Sequence, residues 1–218
     1  MRKFITLVCV AFLATAAQAQ ITWNVKGGIG AATCYGDVED MSNHLVGKLG
    51  VGIEKPISKN WSIMPSLELA WKGAEYKSTI NYGDYGSDYE SIKETLDIFY
   101  LQIPIVAAYR INLNSSWNIT LKAGPYFAYG LSGRMKGAVE SSYGSDSWDE
   151  DIFKGHDYGK DGDSKAGKRF DAGLDFGVDF EYHRFVFGAE YELGLLKFAP
   201  DDADVKNAAA YFTVGYKF

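Results

Sequence analysis

Phe170-Asp171-Ala172-Gly173-Leu174-Asp175-Phe176-Gly177-Val178-Asp179-Phe180 is the stretch that decides the fold. Phe170, Leu174, Phe176, Val178 and Phe180 fall on one parity. Asp171, Gly173, Asp175, Gly177 and Asp179 fall on the other. A period of two is the signature of a strand with two unlike faces. One face is apolar and aromatic. The other carries only acids and glycines.

The same alternation recurs on both sides of this stretch. Towards the C-terminus, Phe185, Phe187, Ala189, Tyr191 and Leu193 stand opposite Gly188, Glu190, Glu192 and Gly194. The last segment sets Ala210, Phe212, Val214, Tyr216 and Phe218 against Tyr211, Thr213, Gly215 and Lys217. Towards the N-terminus, five more strands read the same way, near 23–31, 44–54, 61–72, 101–110 and 117–130. Short turns are expected at Pro56–Asn60, Asn112–Ser116 and His183–Arg184. Long polar linkers are expected near 35–43, 77–93, 133–166 and 199–206. Short turns alternating with long connections are the pattern of outer-membrane barrels. The fold class is therefore all-β, an eight-stranded antiparallel up-and-down transmembrane β-barrel with both ends of the strand series on the periplasmic side.

Which face points inward is decided by size. Glycines gather on the polar face: Gly28, Gly30, Gly50, Gly52, Gly124, Gly130, Gly173, Gly177, Gly188 and Gly215. An eight-stranded ring has room inside for little more than packed side chains, so small residues belong there. The aliphatic and aromatic face then meets lipid, with Trp, Tyr and Phe towards strand ends. The inner face carries seven bases (Lys26, Lys48, Lys72, Arg110, Lys122, Arg169, Lys217) and eight acids (Glu54, Glu68, Asp171, Asp175, Asp179, Glu181, Glu190, Glu192). Charge enclosed in a barrel is costly unless paired. Ion pairs across the lumen are therefore expected. Lys48 should meet Glu68, Lys122 should meet the ladder of Asp171, Asp175 and Asp179, and Lys72, Arg110 and Glu190 should join the set.

The N-terminus has the three parts of a secretory signal. Arg2 and Lys3 are the positive region, Phe4–Ala14 is the apolar core, and Ala17-Gln18-Ala19 fits the cleavage rule. The expected division is a signal peptide over 1–19 and a barrel domain over 20–218. The apolar run is shorter than the roughly 20 residues of a spanning helix. The whole sequence carries a net charge of -6, which argues against nucleic acid as a partner. Cys34 is the one cysteine beyond the signal, so no internal disulfide is expected.

Two stretches carry a family resemblance. Leu101-Gln102-Ile103-Pro104 followed by Tyr109-Arg110, and Phe170-Asp171-Ala172-Gly173-Leu174, resemble the PorT-like outer-membrane β-barrel family of Bacteroidetes. The resemblance runs over essentially the whole chain after the signal. It implies fold and outer-membrane location and brings no active site. Some members are linked to protein secretion. The last strand, with Phe212, Tyr216 and Phe218, looks like the terminal strand that the outer-membrane assembly machinery reads.

Chemistry is sparse. His44, His156 and His183 are the only histidines, and none forms a His-x-Ser pair. Asp157, Asp161, Gly162 and Asp163 share part of a calcium-loop pattern, but Gly159 and Lys168 stand where ligands are needed. No metal, cofactor or catalytic residue is expected. Tyr85–Asp88 and Tyr143–Asp146 repeat the string Tyr-Gly-Ser-Asp. Tyr with Ser and Gly suits contact loops, because Tyr gives rigid area while Ser and Gly adapt. Tyr85, Tyr143 and Trp148 are the candidate binding residues. The reading is a non-enzymatic barrel with a structural or surface-interaction role. An accessory role in secretion is the first alternative, and a small-solute channel or lipid-modifying enzyme the second. Expected partners are outer-membrane lipid or lipopolysaccharide, the assembly machinery, and a surface ligand or secretion-complex protein.

Overall fold

The computed structural model describes residues 21–38, 41–82, 88–154, 166–199 and 203–218. They form ten strands: β1 (Thr22–Gly36), β2 (Met41–Ser42), β3 (His44–Pro56), β4 (Trp61–Tyr82), β5 (Asp88–Asn112), β6 (Trp117–Ser141), β7 (Gly144–Asp151), β8 (Phe170–Tyr182), β9 (Phe185–Gly194) and β10 (Val205–Lys217). Eight of them close a ring, β1-β3-β4-β5-β6-β8-β9-β10, with every neighbour antiparallel and β10 returning to β1. The two short strands are additions: β2 pairs with β4, and β7 with β6. No helix occurs among the described residues. The expected signal segment lies outside them.

Local chemistry sets the three tight turns at one end. Between β5 and β6, the Asn114 carboxamide oxygen accepts from the backbone N–H groups of Ser116 and Trp117, both at 2.9 Å. Between β3 and β4, the N–H of Ile57 donates to the carbonyl of Trp61 at 2.8 Å. Between β8 and β9, Tyr182 pairs directly with Phe185 across a two-residue loop. His183 there takes a φ of 54°, the left-handed value that such tight hairpins demand.

The outer surface is apolar on all sides. Ile29, Leu45 and Phe212 are 69%, 78% and 75% exposed, which in water would be an unburied patch around the whole molecule. Aromatic pairs bound this band at both ends. Trp61–Tyr109 and Trp117–Tyr182 sit near the tight turns with ring centres 5.0 and 4.6 Å apart, and Trp71–Phe99 sits at the far end at 4.7 Å. Such girdles mark the two membrane interfaces. Inside, glycines let the neighbouring strands' side chains fill the ring, as the size argument requires.

Three prolines sit in the wall. Pro65, Pro104 and Pro125 lack the N–H that a ladder needs. The pairing of β4 with β5 skips from Pro65–Ile105 to Glu68–Gln102, and that of β5 with β6 from Pro104–Tyr126 to Ala107–Ala123.

The long linkers expected near 77–93 and 133–166 differ from the structure. β4 and β5 remain paired out to Tyr82 and Asp88, and β6 continues to Ser141 before β7 folds back on it. A membrane crossing takes about 10 residues of strand, whereas β4, β5 and β6 have 22, 25 and 25. These strands stand well beyond the apolar band as a sheet. Both faces of that sheet meet water, so the apolar-polar contrast that marks a strand in sequence is missing there. Backbone pairing holds it instead, with one ion pair across the strands and one along β4. The Lys93 ammonium lies 2.9 Å from Glu75 and that of Lys77 3.0 Å. Hydrogen bonds from both hold the Glu75 carboxyl below its ordinary pKa.

The wall makes a direct prediction. Leu49 faces outward at 57% exposure in β3. Leu49→Arg should lower the unfolding free energy in lipid vesicles by about 2–4 kcal/mol, the penalty for a cation on the lipid face near mid-depth. Ser58→Arg, in a tight turn, should leave it unchanged. Denaturant titration of the refolded barrel measures both.

Candidate functional site

The inward parity of the ring builds a stack of layers. At the tight-turn end, Glu54 of β3 and Glu181 of β8 share two cations. Arg110 lies 2.8 Å from Glu54 and 3.2 Å from Glu181, and Lys217 lies 2.8 and 2.6 Å from the same two. Ser62 and Thr120 donate their hydroxyls to Glu54 and Glu181 at 3.1 and 2.8 Å.

The middle layer is denser. Lys48 of β3 is fully enclosed and contacts three carboxylates: Glu192 at 2.6 Å, Glu190 at 2.7 Å and Glu68 at 3.1 Å. Lys26 bridges Glu68 and Glu190 at 2.8 Å each. Lys122 reaches Asp179 at 2.8 Å and Glu190 at 2.9 Å. Lys72 reaches Glu192 at 2.8 Å and stands 3.9 Å from Asp171. Gln102 donates to Glu192 at 2.8 Å. Glu68, Glu190 and Glu192 converge closely enough to suit a metal ion. The Lys48 ammonium fills that point and supplies the positive charge.

Tyrosines roof this layer. The Lys72 ammonium lies 3.9 Å from the centre of the Tyr126 ring, and Lys48 lies 4.6 Å from that of Tyr211. Tyr126 and Asn207 each donate to Asp171 at 3.2 Å. Above the tyrosines the interior turns apolar. Ile98, Val205, Cys34 and Ala74 pack with Phe153 and Phe198, which come from the connections that follow β7 and β9. Backbone hydrogen bonds strap this cork in place. Gly167 N–H donates to Ile152 at 2.7 Å, and Lys168 N–H to Phe198 at 2.8 Å. Gly130 and Gly133 in β6 make the space, because a Cβ on Gly130 would meet the Phe153 ring and one on Gly133 would lie 2.6 Å from Ile152. The Arg169 guanidinium lies 4.4 Å from the Phe153 ring centre and donates to the Gly130 carbonyl at 2.9 Å.

A ring of eight antiparallel strands with an apolar outer band, aromatic girdles and a polar interior is the architecture of outer-membrane barrels. The family model described as the outer membrane protein beta-barrel domain matches residues 16–199. The chain belongs to that family. It is an integral protein of the outer membrane. The tight turns of such outer-membrane barrels face the periplasm and the long connections face outward. None of the curated proteins matches the chain. Among solved structures it is similar to OprG of Pseudomonas aeruginosa, at 13% identity over 92% of this chain and 97% of that one, with a TM-score of 0.42. It is also similar to Ail, the attachment invasion locus protein of Yersinia pestis, at 14% identity over 90% and 98%, with a TM-score of 0.40. Neisserial surface protein A gives 14% identity over 89% and 95%, with a TM-score of 0.38.

The outer-membrane barrel brings together most of the residues that the sequence put forward for its interior. The Asp171, Asp175 and Asp179 ladder does not gather on Lys122. Alternate residues of a strand lie about 7 Å apart, so each Asp meets a different layer. Asp179 meets Lys122, Asp171 meets Tyr126, Asn207 and Lys72, and Asp175 meets no cationic nitrogen within 4 Å among the described residues. Arg169 leaves the lumen for the cork. Phe153 and Phe198 lie in connections without strand alternation, and their sequence signal was limited to apolar neighbours, Ile152 beside Phe153 and Leu195 and Leu196 before Phe198.

The loop candidates separate. Tyr143 is 87% exposed at the tip of the β6–β7 hairpin. Trp148 instead lies across Gly137, covering the strand where no side chain projects. Tyr85 lies outside the described residues, as do His156 and the calcium-like stretch at 157–163. His44 is 2.8 Å from Asp97, and Lys136 is 3.7 Å from that carboxylate. Phe212 and Phe218 face outward, 75% and 65% exposed, and Tyr216 stacks edge-on between Phe185 and Phe218.

Lys48→Met would leave three enclosed carboxylates without their shared cation. The expected loss is about 3–5 kcal/mol, typical of removing one partner from a buried ion pair. Equilibrium unfolding of the refolded protein reads it. Planar bilayers should show no steady conductance for the native protein or for Phe153→Ala/Phe198→Ala, because the ionic layers lie beneath the cork.

Proposed function

We propose that the protein is a non-enzymatic surface-interaction barrel that presents a sheet above the membrane. One observation carries this reading: β4, β5 and β6 continue past the apolar band and gain β7 as an added strand, so ordered chain is spent outside the bilayer. The tip exposes Tyr143 among Ser and Gly, a composition suited to contact. The non-enzymatic side rests on the interior. Its carboxylates, Asp175 apart, are engaged by ammonium and guanidinium groups, and the His44–Asp97 pair gains no Ser hydroxyl among the described residues. The channel alternative is disfavoured by the packed lumen. The terminal face of Phe212, Tyr216 and Phe218 is the part offered to the assembly machinery.

An accessory role in secretion follows from the PorT-like resemblance of Leu101–Pro104 and Phe170–Leu174, and it is the second reading. Deleting residues 140–163 to test surface binding would also remove Phe153 and the cork. A cleaner test places a photo-crosslinking residue at Tyr143, or at Lys59 in a periplasmic turn, in living cells. An adduct with an external macromolecule at Tyr143 is expected. An adduct at Lys59 with a secretion-complex protein, and none at Tyr143, would replace the first reading with the second. No adduct at either position would overturn both.

A further inference from the structure

The exposed cations of the two ends differ in what they meet. At the outer end, Lys93, Arg134, Lys136, Lys154, Lys197 and Lys206 each lie within 4 Å of a carboxylate. At the periplasmic end the exposed Lys and Arg side chains are Lys55, Lys59 and Arg184, in or beside the tight turns. None of the three has a carboxylate within 4 Å among the described residues. The acids nearest to these turns in the chain, Glu54 and Glu181, are buried and held by Arg110 and Lys217. No Asp or Glu side chain is exposed at this end among the described residues.

The same turns expose apolar side chains. Ile57 is 63% exposed and Leu113 57%. The two turns are built alike: the N–H of Ile57 donates to the carbonyl of Trp61, and that of Leu113 to the carbonyl of Trp117. Each indole then joins the aromatic girdle, against Tyr109 and Tyr182. Lys55 takes the outward parity of β3 and stands across from Ile63. Turns of so few residues reach only a short way past the wall. Their tips therefore sit in the headgroup layer, with apolar side chains towards the acyl chains. Lys and Arg suit that depth, because their stems lie along apolar surface while the charge reaches outward. In the ring order the β3–β4 and β8–β9 turns lie opposite each other, so the cations face lipid on two sides.

We propose that this rim binds the phosphate headgroups of anionic phospholipids in the periplasmic leaflet, through Lys55, Lys59 and Arg184. Unpaired cations beside a membrane are drawn to anionic lipid, and the attraction falls off within a Debye length. Lipid fits better than an anionic polymer of the periplasm. A polymer would neutralise the charges and leave Ile57 and Leu113 uncovered, whereas a leaflet meets both. The contact anchors the tight-turn end at a fixed depth, and it is independent of what the outer sheet meets.

The test uses the mature barrel folded into phosphatidylcholine vesicles that carry a trace of spin-labelled phosphatidylglycerol or spin-labelled phosphatidylcholine. Electron spin resonance reads the fraction of each label held at the barrel, and hence the ratio of their association constants. The native protein should favour phosphatidylglycerol about two- to fivefold at low salt, the upper value being that of one cation in full contact. The preference should vanish near 1 M salt, where screening acts over about 3 Å. Lys55→Gln/Lys59→Gln/Arg184→Gln should bring the ratio to one at low salt. Lys93→Gln/Lys136→Gln, at the outer end, should keep the native ratio. Heat-modifiable gel mobility checks that each variant folds. A ratio of one for the native protein would overturn the proposal. So would a preference that survives in the triple variant or is lost in the outer-end variant. A native barrel without lipid preference that co-sediments with peptidoglycan sacculi, where the triple variant does not, would assign the rim to the cell wall instead.

Discussion

Charge compensation inside a closed ring is the constraint on which the rest of this structure depends. Six cations are each shared by two or more carboxylates, so no ammonium or guanidinium in the lumen belongs to a single partner. Sharing is economical in a narrow interior. A one-to-one arrangement would need two further cations in an interior already filled by side chains. It also explains the glycines of the inner face. Long Lys and Glu side chains lie over bare positions of the neighbouring strand as they enter the lumen, as when Lys122 of β6 passes over Gly177, its partner on β8. The tyrosine roof follows from the same need, since ring faces accept the ammonium groups of Lys48 and Lys72 from above. Only beyond that roof does the interior become apolar.

Much of this was legible in the alternation. The parity of Phe170–Phe180 named both faces of β8, and the clustering of glycine on one parity named the inside. What escaped has a common physical cause. A strand is visible in sequence when its two faces meet different media. Beyond the membrane both faces of β4, β5 and β6 meet water, so 77–93 and 133–141 looked like linkers although they are paired throughout the described residues. The cork was hidden for the opposite reason. Phe153 and Phe198 lie in irregular connections and bury themselves through the path of the backbone, which no short-range period records. The destinations of Asp171, Asp175 and Asp179 were also invisible. Sequence gives their common face, but not the depth at which each meets the far wall.

The two ends of the molecule do different work. The periplasmic end is economical, with turns of a few residues and a ring of Trp, Tyr and Phe. The outer end carries ordered sheet, exposed charge and a hydrophobic stopper that ties two connections together. In the outer connection Lys206 hydrogen-bonds Asp204 and holds its carboxyl below the ordinary range. The ordered chain outside the bilayer is therefore concentrated at one end of the barrel.

The seam between β1 and β10 has a consequence for how the molecule comes into being. Thirteen residue pairs join the first strand to the last, from Asn24–Lys217 to Gly36–Val205. These contacts span nearly the whole chain, so their loop-closure entropy is met late. Lys26 and Lys217 lie on the two sides of this seam, and their carboxylate partners sit on β3, β4, β8 and β9. An unclosed ring is therefore also an unneutralised one. Wall and lumen must mature in a single cooperative step, and a half-built barrel carries its own penalty against lingering in the membrane.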